Sequence, residues 1–265
     1  MIRFAYFVGQ GLLLHKYAWL WGRDGCQHAK VLGEEQWEWL ENELLVESSP
    51  AKEEAVPELF IVMSSIQVWS TNPLMEGWGH FPKEQERLWN LLRKHYDSVS
   101  SNLPPAPVLF LSGDVHHGEI SGRPGYYEVT SSGLTHHCGQ HKLYGPVCEP
   151  ILQTFTGHRD GILSNGEAQS DNGYYIGLNY GVLEILQDEE KNSPWKRAVR
   201  VSIRNTTGHS VLELVQPLAG HGPVPILPPY DQRAHTMDGH LIPFVQTISL
   251  WVVIGLASIV FFRLR

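Results

Sequence analysis

Residues 108–120 read VLFLSGDVHHGEI. The first four residues are aliphatic or aromatic and follow a proline-rich breaker at 103–107, which is typical of a buried strand. The apolar run ends at Gly113, and a group of ionisable side chains follows: Asp114, His116, His117 and Glu119. In open α/β sheets, loops at the carboxyl ends of the strands gather polar side chains and bind ligands. The stretch therefore predicts a strand of an α/β fold with a candidate site at its end.

The ionisable side chains of this stretch have the chemistry of metal ligands. Neutral imidazole nitrogens and carboxylate oxygens bind zinc and other first-row ions. Asp114 and His116 are two residues apart, so a continuing strand would place them on one face, whereas a turn after Gly113 would spread them around one ion. Both geometries allow chelation. The alternative, a capped turn with solvated histidines, is the more common origin of such a composition, so the residue types alone do not decide.

Size and composition limit the class of protein. The chain has 265 residues, enough for one large domain or two small ones. Its net charge is −8 and it has no basic stripe, which excludes a nucleic-acid-binding surface. The three cysteines form no Cys-x-x-Cys pair, which argues against a sulfur-ligated metal. Cys138 and Cys148 are close enough in sequence to close a small loop in an oxidising compartment.

Helices and strands alternate in the first half of the chain. Amphipathic helices are predicted at 34–45 and 83–96, and apolar strands at 59–64 and 108–111. This order favours an α/β, or α+β, fold.

Shorter strands dominate the second half. They are predicted at 126–130, 174–178, 182–186, 198–203 and 211–215. Val199, Val201 and Ile203 alternate with polar residues, the pattern of a half-buried antiparallel strand. The polar segment 138–171 is predicted to be a long loop over the sheet edge.

Residues 241–262 (LIPFVQTISLWVVIGLASIVFF) carry no charge. Because about 20 apolar residues span a bilayer, we expect a C-terminal transmembrane helix that makes the chain a single-pass membrane protein. Residues 219–240 are rich in Pro, Gly and His and are expected to form a stalk, and 263–265 form a short basic tail. The two arginines of the tail favour a body in the lumen or outside the cell, with a cytosolic tail-anchored arrangement as the alternative.

Six stretches carry a family resemblance, in the order VLGEEQWEWL (31–40), SSIQV (64–68), WGHFPKE (78–84), SGDVHHGEI (112–120), YEVTSSGLT (127–135) and NYGVLEI (179–185). Together they closely resemble the carboxyl-terminal half of PhoD-like alkaline phosphatases. We therefore assign residues 31–218 to a PhoD-like metallophosphatase domain and residues 1–30 to a divergent amino-terminal segment.

The resemblance implies a partial calcineurin-like metallophosphoesterase sandwich, in which helices flank two packed sheets and two metal ions support hydrolysis of phosphate esters. It implies that His116 is a metal ligand and that Asp114 is either a ligand or the carboxylate that orients one. It implies that His117 donates a proton to the leaving group, with a structural role as an equal alternative. The ions would be divalent or trivalent, and iron, calcium, manganese and zinc all remain open.

By the same resemblance, four further residues are assigned to the substrate pocket: Ser65, Gln67, His80 and Glu119. Ser65 and Gln67 follow a predicted strand, where turn chemistry is an equally good explanation. The histidines that follow the fifth family stretch offer a second candidate metal site, although solvated loop residues are the more common explanation for them: His136, His137, His141 and His158.

Two motifs of the family's amino-terminal half do not occur in this sequence, Gly-Asp-x-x-Tyr and Asp-Asp-His-Asp. A two-metal site needs several carboxylate and imidazole ligands, so one strand end cannot hold both ions. We therefore expect a membrane-anchored, metal-dependent phosphoesterase in a truncated form. The alternative is a catalytically inactive, membrane-tethered fragment or partner of the same family.

Overall fold

The computed structural model of the protein describes residues 30–45, 57–70, 77–97, 105–122, 126–140, 142, 145–154, 173–187 and 196–221. These residues form three α-helices: α1 (Glu34–Leu44), α2 (Pro82–Asp97) and α3 (Gly145–Thr154). They also form eight strands: β1 (Phe60–Met63), β2 (Val108–Ser112), β3 (Gly118–Ser121), β4 (Tyr126–Ser131), β5 (Tyr174–Tyr175), β6 (Asn179–Gln187), β7 (Arg197–Asn205) and β8 (Ser210–Pro217).

The strands form two sheets. The first has the order β1-β2-β4-β3-β5, and the second is an antiparallel sheet with the order β6-β7-β8. In the first sheet β1, β2 and β4 are parallel, whereas β3 is antiparallel to both β4 and β5. The carboxyl ends of β1, β2 and β4 therefore lie along one edge of the first sheet, and the chain leaves β2 at this edge.

The two helices predicted in the first half form a layer on one face of the first sheet. Their buried side chains, among them Trp37, Leu88 and Trp89, pack with Phe110 of β2. The start of α1 is fixed by Gln36, whose side-chain oxygen accepts a hydrogen bond from the backbone N–H of Gly33 at 2.9 Å. Helix α2 begins at a proline, whose fixed φ suits the first helical turn.

The other face of the first sheet packs against the second sheet. Leu109, Ile120 and Val129 of the first sheet share one apolar cluster with residues of the second, which include Val201 and Ile203. The alternating pattern of β7 is confirmed, because its predicted inward residues are buried. Helices on one side of two packed sheets make a three-layered mixed α/β fold.

Both sheets end in a strand with exposed apolar side chains. Ile61 and Met63 of β1 are 44 % and 82 % exposed, and Leu183 and Ile185 of β6 are 37 % and 56 % exposed. Leu183 and Ile185 lie opposite Val201 and Val199 of β7 and so share the face that packs on the first sheet. The apolar layer between the sheets is therefore open to solvent along β1 and β6 in the described part of the chain.

Three details of the secondary structure differ from the prediction. The segment 138–171 is not a continuous loop, because Cys138–Gln140 form a 3-10 turn and α3 follows it. Strand β3 was not predicted, because a strand that begins with Gly118 and Glu119 does not have the apolar pattern expected of a buried strand. The strand expected at 174–178 is limited to Tyr174–Tyr175.

The expected membrane anchor is not supported. Among the residues that the structure describes, none belongs to a helix with the length and apolar character needed to cross a bilayer. Residues 241–262, to which the span was assigned, lie outside the described residues, as do the proposed stalk beyond residue 221 and the tail at 263–265. We therefore correct the fold class to a mixed α/β arrangement of two sheets and three described helices, and the localisation as a single-pass membrane protein is not retained.

Candidate functional site

Residues 113–117, here called the 113–117 loop, connect β2 to β3 at the carboxyl edge of the first sheet. Asp114 and His116 both have left-handed backbone conformations, with φ of 72° and 57°. This conformation costs a non-glycine residue roughly 1–2 kcal/mol, so the surroundings must hold the loop in place. As a result the side chains alternate: Val115 and His117 are buried, whereas Asp114 is exposed and His116 is half-buried.

The buried His117 is held at both ring nitrogens. Its Nδ1 lies 3.0 Å from the carbonyl oxygen of Val115, and its Nε2 lies 2.8 Å from Oε2 of Glu119. Both neighbours are oxygens, so either the ring carries a proton on each nitrogen and pairs with a carboxylate, or Glu119 carries the proton and donates it to the ring. In both states the pair has no net charge, which suits its complete burial.

Gln67 links the His117–Glu119 pair to Thr130, near the carboxyl end of β4. Its Nε2 donates to Glu119 Oε2 at 3.1 Å and to Thr130 Oγ1 at 3.0 Å. Thr130 Oγ1 in turn lies 2.8 Å from Ser112 Oγ at the end of β2. We call His117, Glu119, Gln67, Thr130 and Ser112 the polar network. It joins β2, β3, β4 and the turn after β1 directly beneath the 113–117 loop.

Glu128 of β4 fixes the turn that carries Gln67. Its carboxylate accepts hydrogen bonds from the backbone N–H groups of Val68 and Trp69, each at 2.7 Å. Burial raises the pKa of Glu128 to about 7, although the Ser112 hydroxyl and the two backbone N–H groups act in the opposite direction. A buried carboxylate that receives two N–H groups therefore determines where the turn lies.

The exposed part of the loop faces the segment after β4. The backbone N–H of His116 donates to Ser132 Oγ at 3.2 Å, and its carbonyl oxygen accepts from Cys138 N–H at 2.8 Å. The ring of His116 lies 4.1 Å from the ring of His136, centroid to centroid, with the planes tilted by 37°. We call Asp114, His116 and His136 the rim.

The surroundings of His116 favour its neutral imidazole. Burial lowers the pKa of His116, and the neighbouring His136 lowers it further, whereas the carboxylate of Asp114 raises it. A neutral imidazole has a lone pair that can bind a metal ion.

A disulfide holds the segment that carries His136. Cys138 is bonded to Cys148, which ties the 3-10 turn to α3. The loop closure that the cysteine spacing allowed is therefore present in the structure.

The predicted site residues fall into two groups. Three of them, His117, Glu119 and Gln67, are joined by hydrogen bonds inside the polar network. Asp114 and His116 lie on the rim. Ser65 is exposed in the turn after β1 and forms no part of the network, and the side chain predicted at His80 is outside the described residues.

The donor types on the rim fit a metal ion, but their number is small. Imidazole nitrogen and carboxylate oxygen are ligands of zinc, iron and manganese, and neither ring nitrogen of His116 is hydrogen-bonded to a described residue. Across the described ranges, no three or more His, Cys, Asp or Glu side chains are grouped so that they could hold a metal ion. An ion on the rim would need further ligands, such as water.

Sequence reasoning missed three residues of this region, Ser112, Glu128 and Thr130, and it considered His136 only for a separate, second metal site. Glu128 and Thr130 had a usable signal, since a Glu and a Thr interrupt the otherwise apolar strand YYEVT and buried polar residues need partners. The contact between His116 and His136 leaves no signal in the sequence, because it depends on how the chain folds back after β4.

No protein-family model and no curated protein matches this chain. Among solved structures, one described as the structure of PhoD has 17 % sequence identity and a TM-score of 0.33, and the match covers 73 % of this chain and 36 % of that one. The chain thus spans about a third of the length of the solved structure that it resembles.

Proposed function

We propose that the chain carries part of a metal-dependent phosphoesterase site of the PhoD-like type, in which the 113–117 loop presents metal ligands at the carboxyl edge of the first sheet. The observation that supports this most directly is the alternation within the loop. Asp114 and His116 project from a strained backbone toward solvent, while His117 and Glu119 anchor the loop from below. Strained loops that are held by buried polar groups are typical of functional sites.

Each rim residue has a distinct part in this proposal. His116 supplies an imidazole nitrogen that is not hydrogen-bonded to any described residue, and Asp114 supplies an exposed carboxylate two residues before it. When bound, metal ions of such sites orient and activate a water molecule and stabilise the negative charge that develops on the phosphate. Ser65, exposed after β1, remains a proposed substrate contact, and His80 remains one on the resemblance alone.

The polar network changes the proposed role of the other predicted residues. Both ring nitrogens of His117 are engaged and the side chain is fully buried, so we assign it to positioning the loop rather than to proton donation. Glu119 and Gln67, also buried, orient His117 in the same way.

A second candidate function is that of a catalytically inactive fragment or partner of the PhoD-like family. It is favoured by the absence, within the ranges that the structure describes, of a group of three or more metal-binding side chains. Two metal ions need several carboxylate and imidazole ligands.

Hydrolysis of an aryl phosphate by the full chain tests the two candidates. The substrate is p-nitrophenyl phosphate, offered with manganese, zinc, calcium or ferric iron in turn, against a metal-free control. The phosphoesterase predicts metal-dependent release of nitrophenol that His116→Ala abolishes and that His221→Ala leaves intact. His221 is a suitable control because the bond from Ala219 N–H to the Glu58 carbonyl, at 3.0 Å, places it near the start of β1, at the opposite end of the sheet. No hydrolysis with any ion would favour the non-catalytic protein.

A further inference from the structure

The turn between β7 and β8 contains the sequence Asn205-Thr206-Thr207. An asparagine that is followed by any residue except proline and then by serine or threonine is the acceptor sequence for N-linked glycosylation. It occurs once in the chain, because none of the other eight asparagines has serine or threonine two positions after it. Such a sequence also arises by chance, so its surroundings in the fold decide whether it can carry a sugar.

The acceptor sequence lies at the exposed tip of the second sheet. The backbone N–H of Asn205 donates to the His209 carbonyl at 3.0 Å, and the Gly208 N–H donates to the Asn205 carbonyl at 2.9 Å, which closes a tight turn. Thr206 and Thr207 are exposed. A Cβ atom at Gly208 would have no neighbour nearer than 3.9 Å, so the described part of the chain leaves room around the tip for a bulky group.

The side chain of Asn205 is held so that its nitrogen is available. Its Oδ1 accepts hydrogen bonds from the Thr207 N–H at 3.0 Å, the Thr207 hydroxyl at 2.7 Å and the His209 N–H at 3.1 Å. Backbone N–H groups can only donate, so these contacts identify the bonded atom as the amide oxygen. The other amide atom, Nδ2, makes no hydrogen bond to a described residue. The nitrogen that would carry the sugar and the hydroxyl that the acceptor sequence requires are thus both present at the tip.

A separate observation indicates the environment in which this modification takes place. Cys138 and Cys148 form a disulfide. Disulfides form in oxidising compartments, which include the lumen of the endoplasmic reticulum, and N-linked sugars are attached in that lumen. The disulfide and the acceptor sequence lie in different parts of the fold and point to the same environment.

We propose that Asn205 is an N-glycosylation site, which receives an oligosaccharide from a lipid diphosphate donor. In the transfer, Nδ2 of Asn205 forms a bond to the anomeric carbon of the first sugar and loses one proton to a base of the transferase. The bond between that carbon and the diphosphate oxygen breaks, and the lipid diphosphate leaves with the electron pair. The inference is independent of the proposed function, because Asn205 belongs neither to the rim nor to the polar network.

Expression of the full chain in eukaryotic cells tests this inference. Five proteins are compared: the parent, Asn205→Gln, Thr207→Ala, Thr207→Ser and Thr206→Ala. Each is treated with peptide N-glycosidase, which removes N-linked sugars and converts the attached asparagine to aspartate. A fall in apparent mass on a gel detects the sugar, and mass spectrometry of the peptide locates the new aspartate.

We expect the fall in apparent mass in the parent and its complete loss in Asn205→Gln and Thr207→Ala, which remove the acceptor nitrogen and the required hydroxyl. Thr207→Ser keeps the hydroxyl, and Thr206→Ala changes only the middle position, so both should remain modified. Circular dichroism of the enzyme-treated proteins shows whether each variant is folded. Thr207→Ser also controls for folding, because it keeps the hydroxyl that bonds to Asn205 Oδ1.

The outcomes decide for or against Asn205. Aspartate at position 205 after enzyme treatment, together with loss of the mass change in Asn205→Gln, supports the inference. A parent whose apparent mass does not change, or a mass change that persists in Asn205→Gln, overturns it.

Discussion

The rim and the polar network contain the same kinds of residues in opposite surroundings. Asp114 and His116 on the rim, and His117 and Glu119 in the network, are each a histidine and a carboxylate two residues apart. The network pair is buried and its histidine is bonded at both ring nitrogens, whereas the rim pair faces solvent and the His116 ring nitrogens are not bonded to described residues. One short stretch of chain thus uses two of its ionisable side chains to fix its shape and leaves the other two facing solvent.

The surroundings also predict opposite energetic consequences. Removing one member of a buried pair leaves its partner desolvated and takes away one of its hydrogen bonds. When a solvent-facing imidazole is removed, water can hydrogen-bond to the groups that the imidazole contacted, so little stability is lost. We therefore expect changes in the polar network to lower stability. Changes on the rim should instead weaken ligand binding.

The largest expected effect is that of His117→Ala. The change removes two hydrogen bonds from the core, those of His117 with Glu119 and with the Val115 carbonyl, and we expect the free energy of unfolding to fall by about 3–5 kcal/mol. Urea denaturation followed by circular dichroism measures it. The matched control is His116→Ala, for which we expect a loss below about 1 kcal/mol. Equal losses in the two variants would remove the distinction between network and rim.

The pH dependence of stability should reveal Glu128. Its pKa in the folded protein is raised from 4.5 to about 7, so the folded state binds the proton more tightly than the unfolded state does. The resulting stabilisation is fully present below pH 4.5 and is lost as the pH rises through about 7, by an expected total of roughly 3 kcal/mol. Denaturation midpoints from pH 4 to pH 8 should show this fall in the wild type and a much smaller one in Glu128→Gln. A stability that is equally pH-dependent in the variant would assign the effect to other groups.

Gly133→Ala tests the close packing beneath the segment that carries His136. A Cβ atom at Gly133 would lie 2.7 Å from the Gly177 carbonyl oxygen and in overlap with the Asn179 amide. We expect a loss of about 1–3 kcal/mol, because backbone atoms must move to make room. Gly113→Ala is the control, since its nearest neighbour would be Ser132 Oγ at 3.9 Å, an ordinary contact. A stable Gly133→Ala protein would show that this segment can shift freely, which would weaken the case for a fixed rim.

The smallest expected effect is that of Thr130→Val. The substitution keeps the shape of the side chain but removes the hydroxyl between Gln67 and Ser112. We expect about 1–2 kcal/mol less stability, the cost of leaving a buried donor without a partner. Thr135→Val, on the exposed side of the same segment, should change stability by less than about 0.5 kcal/mol. The difference between the two unfolding curves measures the contribution of the hydroxyl to the network.

Much of the fold could be predicted because local patterns determine it. The apolar runs of β1 and β2, the amphipathic α1 and α2, and the alternation of β7 are all visible within a few residues. Strand β3 and helix α3 escaped prediction for a shared reason. Their sequences, GEIS and GPVCEPILQT, are short, and the helix contains a proline, so their structure depends on tertiary packing rather than on local pattern.

The site was predictable only in part. The sequence identifies which residues have metal-binding chemistry, but not which of two adjacent histidines faces inward. That outcome depends on the left-handed conformations of Asp114 and His116 and on Gln67, which lies 52 residues before Glu119 in the chain. The pairing of His116 with His136 depends in the same way on the chain folding back after β4.

Thermal unfolding with and without saturating zinc tests the division between rim and network most directly. Zinc is expected to raise the unfolding midpoint of the wild type, by an amount that corresponds to about 2.7 kcal/mol at a hundredfold excess over the dissociation constant. In His116→Ala the rise should vanish while the metal-free midpoint stays close to that of the wild type. An undiminished rise in His116→Ala, or a metal-free midpoint as low as that of His117→Ala, would contradict the division between rim and polar network.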